Sequence, residues 1–252
     1  MPRVFAVANQ KGGVAKTTTV HSLGTAMAER GRRVLLVDLD PQACLTYSLG
    51  VHAEQLEHSL HDVLVRRRPA ADVLVKVGEL HLIPSTIDLA GAEIYLLSRT
   101  GREYALARAL DPIKPGYDVV LIDCPPSLGI LTIDGLTAAD EVLIPLQCET
   151  LSSRGVGQLL ETIADVRNFT NPRLGVAGVV ATMYDSRTKL GQQVLAAVRA
   201  DYDLEVLEPP VPKSVRVAEA PGTSRSVLEH APRSPAADAY RALAATIDAR
   251  LS

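Results

Sequence analysis

Val4-Phe5-Ala6-Val7-Ala8-Asn9 runs directly into Gln10-Lys11-Gly12-Gly13-Val14-Ala15-Lys16-Thr17-Thr18, and this junction decides how the chain folds. The first six residues read as a short apolar strand of the kind buried on both faces. A helical stretch follows from Thr17 to Arg30, closed by Gly31 where a left-handed residue past the helix end belongs. Between the two, Gly12 and Gly13 let the backbone wrap closely without a Cβ in the way. Such a strand–turn–helix gathers backbone N–H donors at a helix N-terminus, where the dipole also favours an anion. Lys11 and Lys16 add two cations to the same turn. The combination predicts a triphosphate cradle over residues 10–18, with Lys16 reaching the β- and γ-phosphates and the Thr17 hydroxyl placed to ligate magnesium.

Further strands are expected at Val34–Asp38, Leu80–Pro84, Val119–Asp123, Val142–Leu146 and Val176–Met183. Helical stretches fall between them, at Leu89–Leu110, Ile130–Ala139, Ser152–Asn168 and Leu190–Tyr202. Pro112 and Pro172 follow helix ends. This alternation implies right-handed βαβ crossovers and an α/β, doubly wound, mostly parallel sheet with helices on both faces. No linker separates domains, so residues 1–252 are expected to form one domain. The proline-rich segment from Glu208 to Pro235 reads as a long loop at one rim of the sheet. The closing stretch, Ala236 to Leu251, places Tyr240, Leu243, Ala244, Ile247 and Leu251 on one helix face that packs on the sheet.

Composition narrows the function. Of 252 residues 47% are hydrophobic, with no tryptophan and two phenylalanines, so the core must be built from Val, Leu, Ile and Ala. A net charge of −3 excludes a protein that is basic all over; a nucleic-acid partner would have to be met by a local patch. Cys44, Cys124 and Cys148 are scattered and form no metal-ligand spacing, which suits reduced thiols in cytosol. No secretory segment is recognised, and no apolar run approaches the roughly 20 residues of a membrane span. The run Arg66-Arg67-Arg68 before Pro69 completes a helix C-terminus, where cations suit the dipole.

Two further strands end in acids. Val34-Leu-Leu-Val-Asp38-Leu-Asp40-Pro41-Gln42 carries two, and Asp118-Val-Val-Leu-Ile-Asp123-Cys-Pro-Pro-Ser127 ends in a third. In a parallel sheet these ends share one rim with the glycine-rich turn, and carboxylates there can hold magnesium or orient an attacking water.

The turn departs from the ordinary phosphate-loop pattern, having Gln10 and Ala15 where glycines would stand and a second lysine at position 11. In this it resembles the deviant Walker A ATPases, with their Lys-Gly-Gly-x-x-Lys-Thr signature. The Asp-x-Asp-Pro-Gln and Asp-Cys-Pro-Pro-Ser motifs look like those of ParA/Soj-type partition ATPases. So do Ile144-Pro-Leu-Gln-Cys-Glu149, Thr182-Met-Tyr-Asp-Ser-Arg-Thr188 and Pro212-Lys-Ser-Val-Arg-Val-Ala-Glu-Ala-Pro221, which carry the likeness over nearly the whole chain.

The resemblance implies an ATPase using ATP and Mg2+, with Lys11, Gly12, Gly13, Val14, Ala15, Lys16, Thr17 and Thr18 around the phosphates. Lys11 would cross a homodimer interface to the partner's nucleotide, as an arginine finger does. Asp40 would be the switch residue that positions water and Asp123 the Walker B acid, and both would stand near magnesium with the Thr17 hydroxyl as ligand; Asp38 would support the loop. Pro212 and Ser214 would meet the adenine, unless 212–221 is merely a rim loop. Arg187 and Arg216, with Lys213, would contact double-stranded DNA nonspecifically in the ATP-bound dimer, and otherwise belong to the solvated surface. A ParB-like centromere-binding protein would accelerate turnover, in the cytoplasm at the nucleoid, without a membrane partner. Two other readings share the loop: a MinD-type membrane-cycling ATPase, which calls for a basic amphipathic C-terminal helix, and an iron–sulfur ATPase, which calls for paired interface cysteines.

Overall fold

The computed structural model describes residues 2–149 and 152–251, the side chains of 152–154 excepted. In chain order the first half contains β1 (Arg3–Val7), α1 (Lys16–Glu29), β2 (Val34–Asp38), α2 (Cys44–Ser48), α3 (Leu60–Arg66), β3 (Val75–Val77), β4 (Leu80–Ile83), α4 (Leu89–Leu97), α5 (Ala105–Leu110) and β5 (Val119–Asp123). The second half contains α6 (Ile130–Ala138), β6 (Glu141–Gln147), α7 (Ser152–Phe169), β7 (Gly175–Thr182), α8 (Lys189–Tyr202), β8 (Val206–Leu207), α9 (Val215–Glu219), α10 (Val227–His230) and α11 (Pro235–Ala249).

Among the described residues these strands form one sheet in the order β3-β4-β2-β5-β1-β6-β7-β8. All neighbours are parallel except the β3–β4 edge pair. The chain leaves β1 toward β2 on one side, and later places β6 on the other. β1 therefore sits where the winding reverses, and the crevice beyond its C-terminal end is where such sheets receive ligands.

Alternation along the strands builds two cores. Val4, Leu35, Val37, Val120 and Ile122 face the layer of α3 to α8. Phe5, Val7, Leu36, Val119 and Leu121 face α1, α10 and α11. α1 lies close on the sheet because Gly24 has no side chain; a Cβ there would stand 2.8 Å from Leu36 Cδ2. Tyr240 of α11 is fully buried against α1, its hydroxyl 3.2 Å from Thr19 Oγ1. Among the described residues no helix is long and apolar enough to cross a membrane.

Three expectations are corrected. Leu89–Leu110 is two helices, broken after Leu97 and turned at Gly101, whose φ is 65°. Glu208–Pro235 contains α9 and α10, short helices capped by Ser214 and by a Ser226–Glu229 capping box. The first strand stops at Val7, which frees Ala8 and Asn9 for the loop.

Candidate nucleotide site

The turn after β1 is braced from three sides. Asn9 is buried; its Nδ2 donates to the Pro145 carbonyl at 2.7 Å, and its Oδ1 accepts the Lys11 N–H at 3.0 Å. That ties the loop to β6. Gly13 and Ala15 both take left-handed φ, 73° and 64°. Glycine adopts this freely and alanine at a cost of roughly 1 kcal/mol, a strain the surroundings must hold. They do so through Val14, fully buried, whose carbonyl accepts the Thr182 hydroxyl at 3.0 Å from the end of β7. Nothing lies within 4 Å of where a Cβ on Gly12 or Gly13 would sit, so the turn presents open backbone.

Lys16 opens α1 with its side chain folded inward, Nζ donating to the Lys11 carbonyl at 3.3 Å. Burial lowers its pKa, and Asp123, Cys124 and Asp40 pull the other way. Its ammonium is thus held among acids, inside the ring of amides that the helix N-terminus offers to an anion.

β2 and β5 are neighbours in register, so Asp38 stands beside Asp123. Their roles separate by their partners. Asp38 Oδ2 accepts from Thr46 N–H at 2.8 Å and Thr46 Oγ1 at 2.6 Å, and its Oδ1 takes the Asp40 N–H at 3.3 Å. Burial still pushes it up to about 7. Thr46 in turn accepts the Ser85 N–H at 3.0 Å, which joins the segment 38–46 to the end of β4. Asp38 is a brace for this segment, as the sequence suggested.

Asp123 is different. It is 1% exposed, and neither carboxylate oxygen has a hydrogen-bond partner. Burial raises its pKa well above the ordinary value, Asp38 adding to the effect; the nearby Thr17 hydroxyl and Lys16 oppose it. A buried, unpaired carboxylate costs folding free energy and calls for a functional reason. A hard cation on the Asp123 side of the cradle would supply one. Among the described residues no three His, Cys, Asp or Glu side chains gather as a metal cage. That donor set suits Mg2+, which keeps waters and takes phosphate oxygens alongside one or two protein ligands.

A cavity of about 310 Å3 brings together Gly12, Lys16, Thr17, Asp40, Cys44 and Arg225. Asp40 accepts the Gln42 N–H at 2.9 Å and is only partly buried, so its carboxylate faces this space. A second cavity of about 560 Å3 shares Gly13, Ala15, Thr18 and Pro221 with the first and extends past Met183, Pro212 and Ser214 to Tyr240. Its mainly apolar walls suit a flat ring beside the phosphate cradle. Pro212 and Ser214 line this cavity, and the Ser214 hydroxyl also caps α9 by accepting the Arg216 N–H at 3.2 Å.

Lys11 extends across the mouth, its Nζ 3.5 Å from Glu149 Oε2, with the side chain 38% exposed. The residues read as a DNA patch are brought together by backbone pairing: Tyr184 bridges Pro212, and Lys213 N–H donates to the Tyr184 carbonyl at 3.0 Å. Arg187 is paired with Asp185 at 2.8 Å and Arg216 with Glu219 at 3.0 Å, so each guanidinium already has a carboxylate. Lys213 is exposed beside them.

Sequence reasoning missed Asn9 and Thr46 as site residues, and took Thr182 and Met183 only as family motif. Met183 lines the second cavity with a left-handed φ of 50°. Asn9 ends an apolar run, but its partner, the Pro145 carbonyl, lies 136 residues away. Thr46 carried no signal, since its partner lies eight residues back.

Comparisons with known proteins agree with this geometry. A family model described as an AAA domain matches residues 2–176. The sporulation initiation inhibitor protein Soj of Bacillus subtilis is 44% identical over 251 residues, spanning 99% of both chains. The chromosome partitioning protein ParA of Caulobacter vibrioides is 46% identical over 252 residues, 98% of this chain and 94% of that one. A Mycobacterium smegmatis crystal structure, described as cobyrinic acid a,c-diamide synthase with bound ADP and magnesium, is 53% identical with a TM-score of 0.88, covering 98% of this chain and 94% of that one. With Soj and ParA matched almost end to end, the chain belongs to the ParA/Soj family of chromosome-partitioning ATPases.

Proposed function

We propose that residues 1–252 act as one ATPase domain that binds ATP with Mg2+, closes into a sandwich homodimer, and binds double-stranded DNA nonspecifically in that state. Hydrolysis then releases the DNA, and a ParB-like centromere-binding protein accelerates it, in the cytoplasm at the nucleoid. The observation that carries this reading is the orphaned Asp123 carboxylate beside Lys16 and Thr17, under a turn of open amides.

Each residue has a task that its position supports. The amides of 12–18 and the Lys16 ammonium orient the β- and γ-phosphates and offset their charge. Thr17 and Asp123 would hold Mg2+, which when bound would supply positive charge to offset that of the phosphates. Asp40, on the segment braced by Asp38 and Thr46, orients the attacking water and reports the γ-phosphate to the 38–46 segment. Lys11 is held by one exposed ion pair with Glu149, worth about 0.2–1 kcal/mol. A triphosphate on a second chain offers it more charge than Glu149 does, so ATP favours the dimer. Arg187, Lys213 and Arg216, doubled in that dimer, meet DNA phosphates without reading bases.

The relative described as an amide synthase raises a second chemistry. An amide-forming enzyme that drew ammonia from glutamine through a thiol would need an activated cysteine. Here burial pushes Cys124 far up and Cys148 up to about 11, and Cys44 is raised as well. The partition reading is therefore preferred. Its test is DNA binding by the purified chain with ATP, with ADP and without nucleotide. Binding that responds to ATP alone supports it, and binding indifferent to nucleotide overturns it.

A further inference from the structure

The Arg66–Arg68 run does more than finish a helix. α3 ends at Arg66, and Arg67 turns the chain with a left-handed φ of 57°, a strained conformation for a side chain of this size. Of the five other non-glycine residues in this region of φ among the described residues, Ala15 and Met183 line the nucleotide cavities. Beside Arg67 lies the break between α4 and α5, which supplies Arg99 and Arg102, and α5 itself supplies Arg108. Two confluent recesses result, of about 430 and about 260 Å3. Arg67 and Arg108 line both, Arg68 the first, and Arg99 and Arg102 the second.

Charge there is poorly balanced. Arg68 is 3.7 Å from Asp72, and Arg102 is 2.9 Å from Glu103. Among the described residues Arg67, Arg99 and Arg108 have no carboxylate within salt-bridge distance; buried Asp134 feels Arg108 from behind α5 without pairing with it. Neutral contacts hold three of the guanidiniums in place. Arg102 donates to the Leu97 carbonyl at 2.6 Å, Arg108 to the Gly101 carbonyl at 2.8 Å, and Arg99 lies 4.4 Å over the Tyr95 ring. Converging like charges repel, and fixed guanidinium forks are the groups that best bind phosphate oxygens.

We propose that this recess is a second anion site, one that takes a small polyphosphate. It shares no residue with the nucleotide cleft. α3 starts beside the end of β4, where Leu60 N–H donates to the Pro84 carbonyl, so its far end lies away from the ligand rim. The recess also lies on the β3–β4 side of the sheet, whereas Arg187 and Arg216 follow β7 and β8 at the other edge. A concave pocket of this size admits a compact polyanion, where several forks engage it at once; it is not continuous with the surface expected to meet a duplex.

The test is calorimetric titration with inorganic tripolyphosphate at about 0.15 M salt. It uses the full chain carrying Lys16→Ala, so that the loop lacks its principal cation. One site per chain is expected, and adding Arg67→Gln with Arg108→Gln should weaken it at least about tenfold. Because Arg108 also holds the Gly101 carbonyl, a second pair, Arg68→Gln with Arg99→Gln, serves as a check that leaves that bond intact. No binding to the Lys16→Ala chain, or affinity unchanged in both pairs, overturns the proposal. So does loss of ATP-dependent duplex DNA binding when the same arginine pairs are made with Lys16 intact, while tripolyphosphate binding in the Lys16→Ala chain stays the same, which would make the recess a DNA contact. Because the loop is disabled in every tripolyphosphate titration, that outcome does not depend on whether the cradle is a nucleotide site.

Discussion

Replacing Asp123 with asparagine should make the unliganded protein more stable and the catalyst inactive. At pH 8 the unfolded chain holds this carboxyl ionised, so folding must either bury the charge or protonate it, and both cost free energy. Neither oxygen receives a hydrogen bond in return, and Asp38 stands beside it in register. An unsatisfied buried polar group costs about 1–3 kcal/mol, more when charged. Asparagine keeps the shape, removes the charge and the repulsion from Asp38, and gives up the attraction to Lys16. The net gain expected is about 2 kcal/mol, which for a chain of this size raises Tm by roughly 4–8 °C. Melting followed by circular dichroism, with and without Mg-ATP, checks both halves of the argument. Wild type should gain Tm with Mg-ATP, and Asp123→Asn should start higher and gain little. A variant that melts below wild type without ligand, or that responds fully to Mg-ATP, refutes the reasoning.

Three other perturbations have definite expected outcomes. Asp40→Ala should leave ATP binding intact and trap the dimer, seen by size-exclusion chromatography, with hydrolysis reduced at least about a hundredfold (about 2.7 kcal/mol of barrier); normal turnover removes Asp40 from its role. Arg187→Glu with Arg216→Glu should still dimerise with ATP but bind duplex DNA at least about tenfold more weakly, with a shallower salt dependence in a filter-binding series. Asp134 sets a pH dependence remote from the cleft: it is fully buried, Oδ2 has no partner, and its pKa is raised to about 7 while Oδ1 accepts the Leu106 N–H at 3.1 Å. A carboxyl raised in the folded state loses stability as pH climbs from about 4 to about 7. Asp134→Asn, which keeps the acceptor, should match wild type at pH 4 and exceed it above pH 7 by up to about 4 kcal/mol in urea titrations; a variant that is weaker above pH 7 contradicts this.

The strands that carry the site were legible because they are buried on both faces. β2 and β5 lie where the apolar runs put them, and α1, α6 and α8 end within a residue or so of their expected bounds. Edge elements were not legible. β3 is three residues with Lys76 exposed and β8 is two buried ones, both too short for periodicity to register. The break between α4 and α5 was marked by the polar run Ser98-Arg-Thr-Gly-Arg-Glu103 with Gly101 inside it, which a single expected helix over Leu89–Leu110 ran across. In the proline-rich segment the Ser226-x-x-Glu229 capping box stood in plain view and marked α10. Within the site, the loop lysines, Thr17 and the strand-end acids could be found because their chemistry is local in sequence. The braces could not: Asn9 reaches Pro145, Thr182 reaches Val14, and Thr46 reaches both Asp38 and Ser85, contacts that exist only once the sheet has assembled.

The most direct measurement is nucleotide stoichiometry together with oligomeric state, from calorimetry and sedimentation with Mg-ATP, for wild type, Lys16→Ala and Lys11→Ala. One nucleotide per chain and a dimer are expected for wild type, no binding for Lys16→Ala, and a nucleotide-loaded monomer for Lys11→Ala. Wild-type affinity in Lys16→Ala, or an undiminished dimer in Lys11→Ala, would contradict the proposed function.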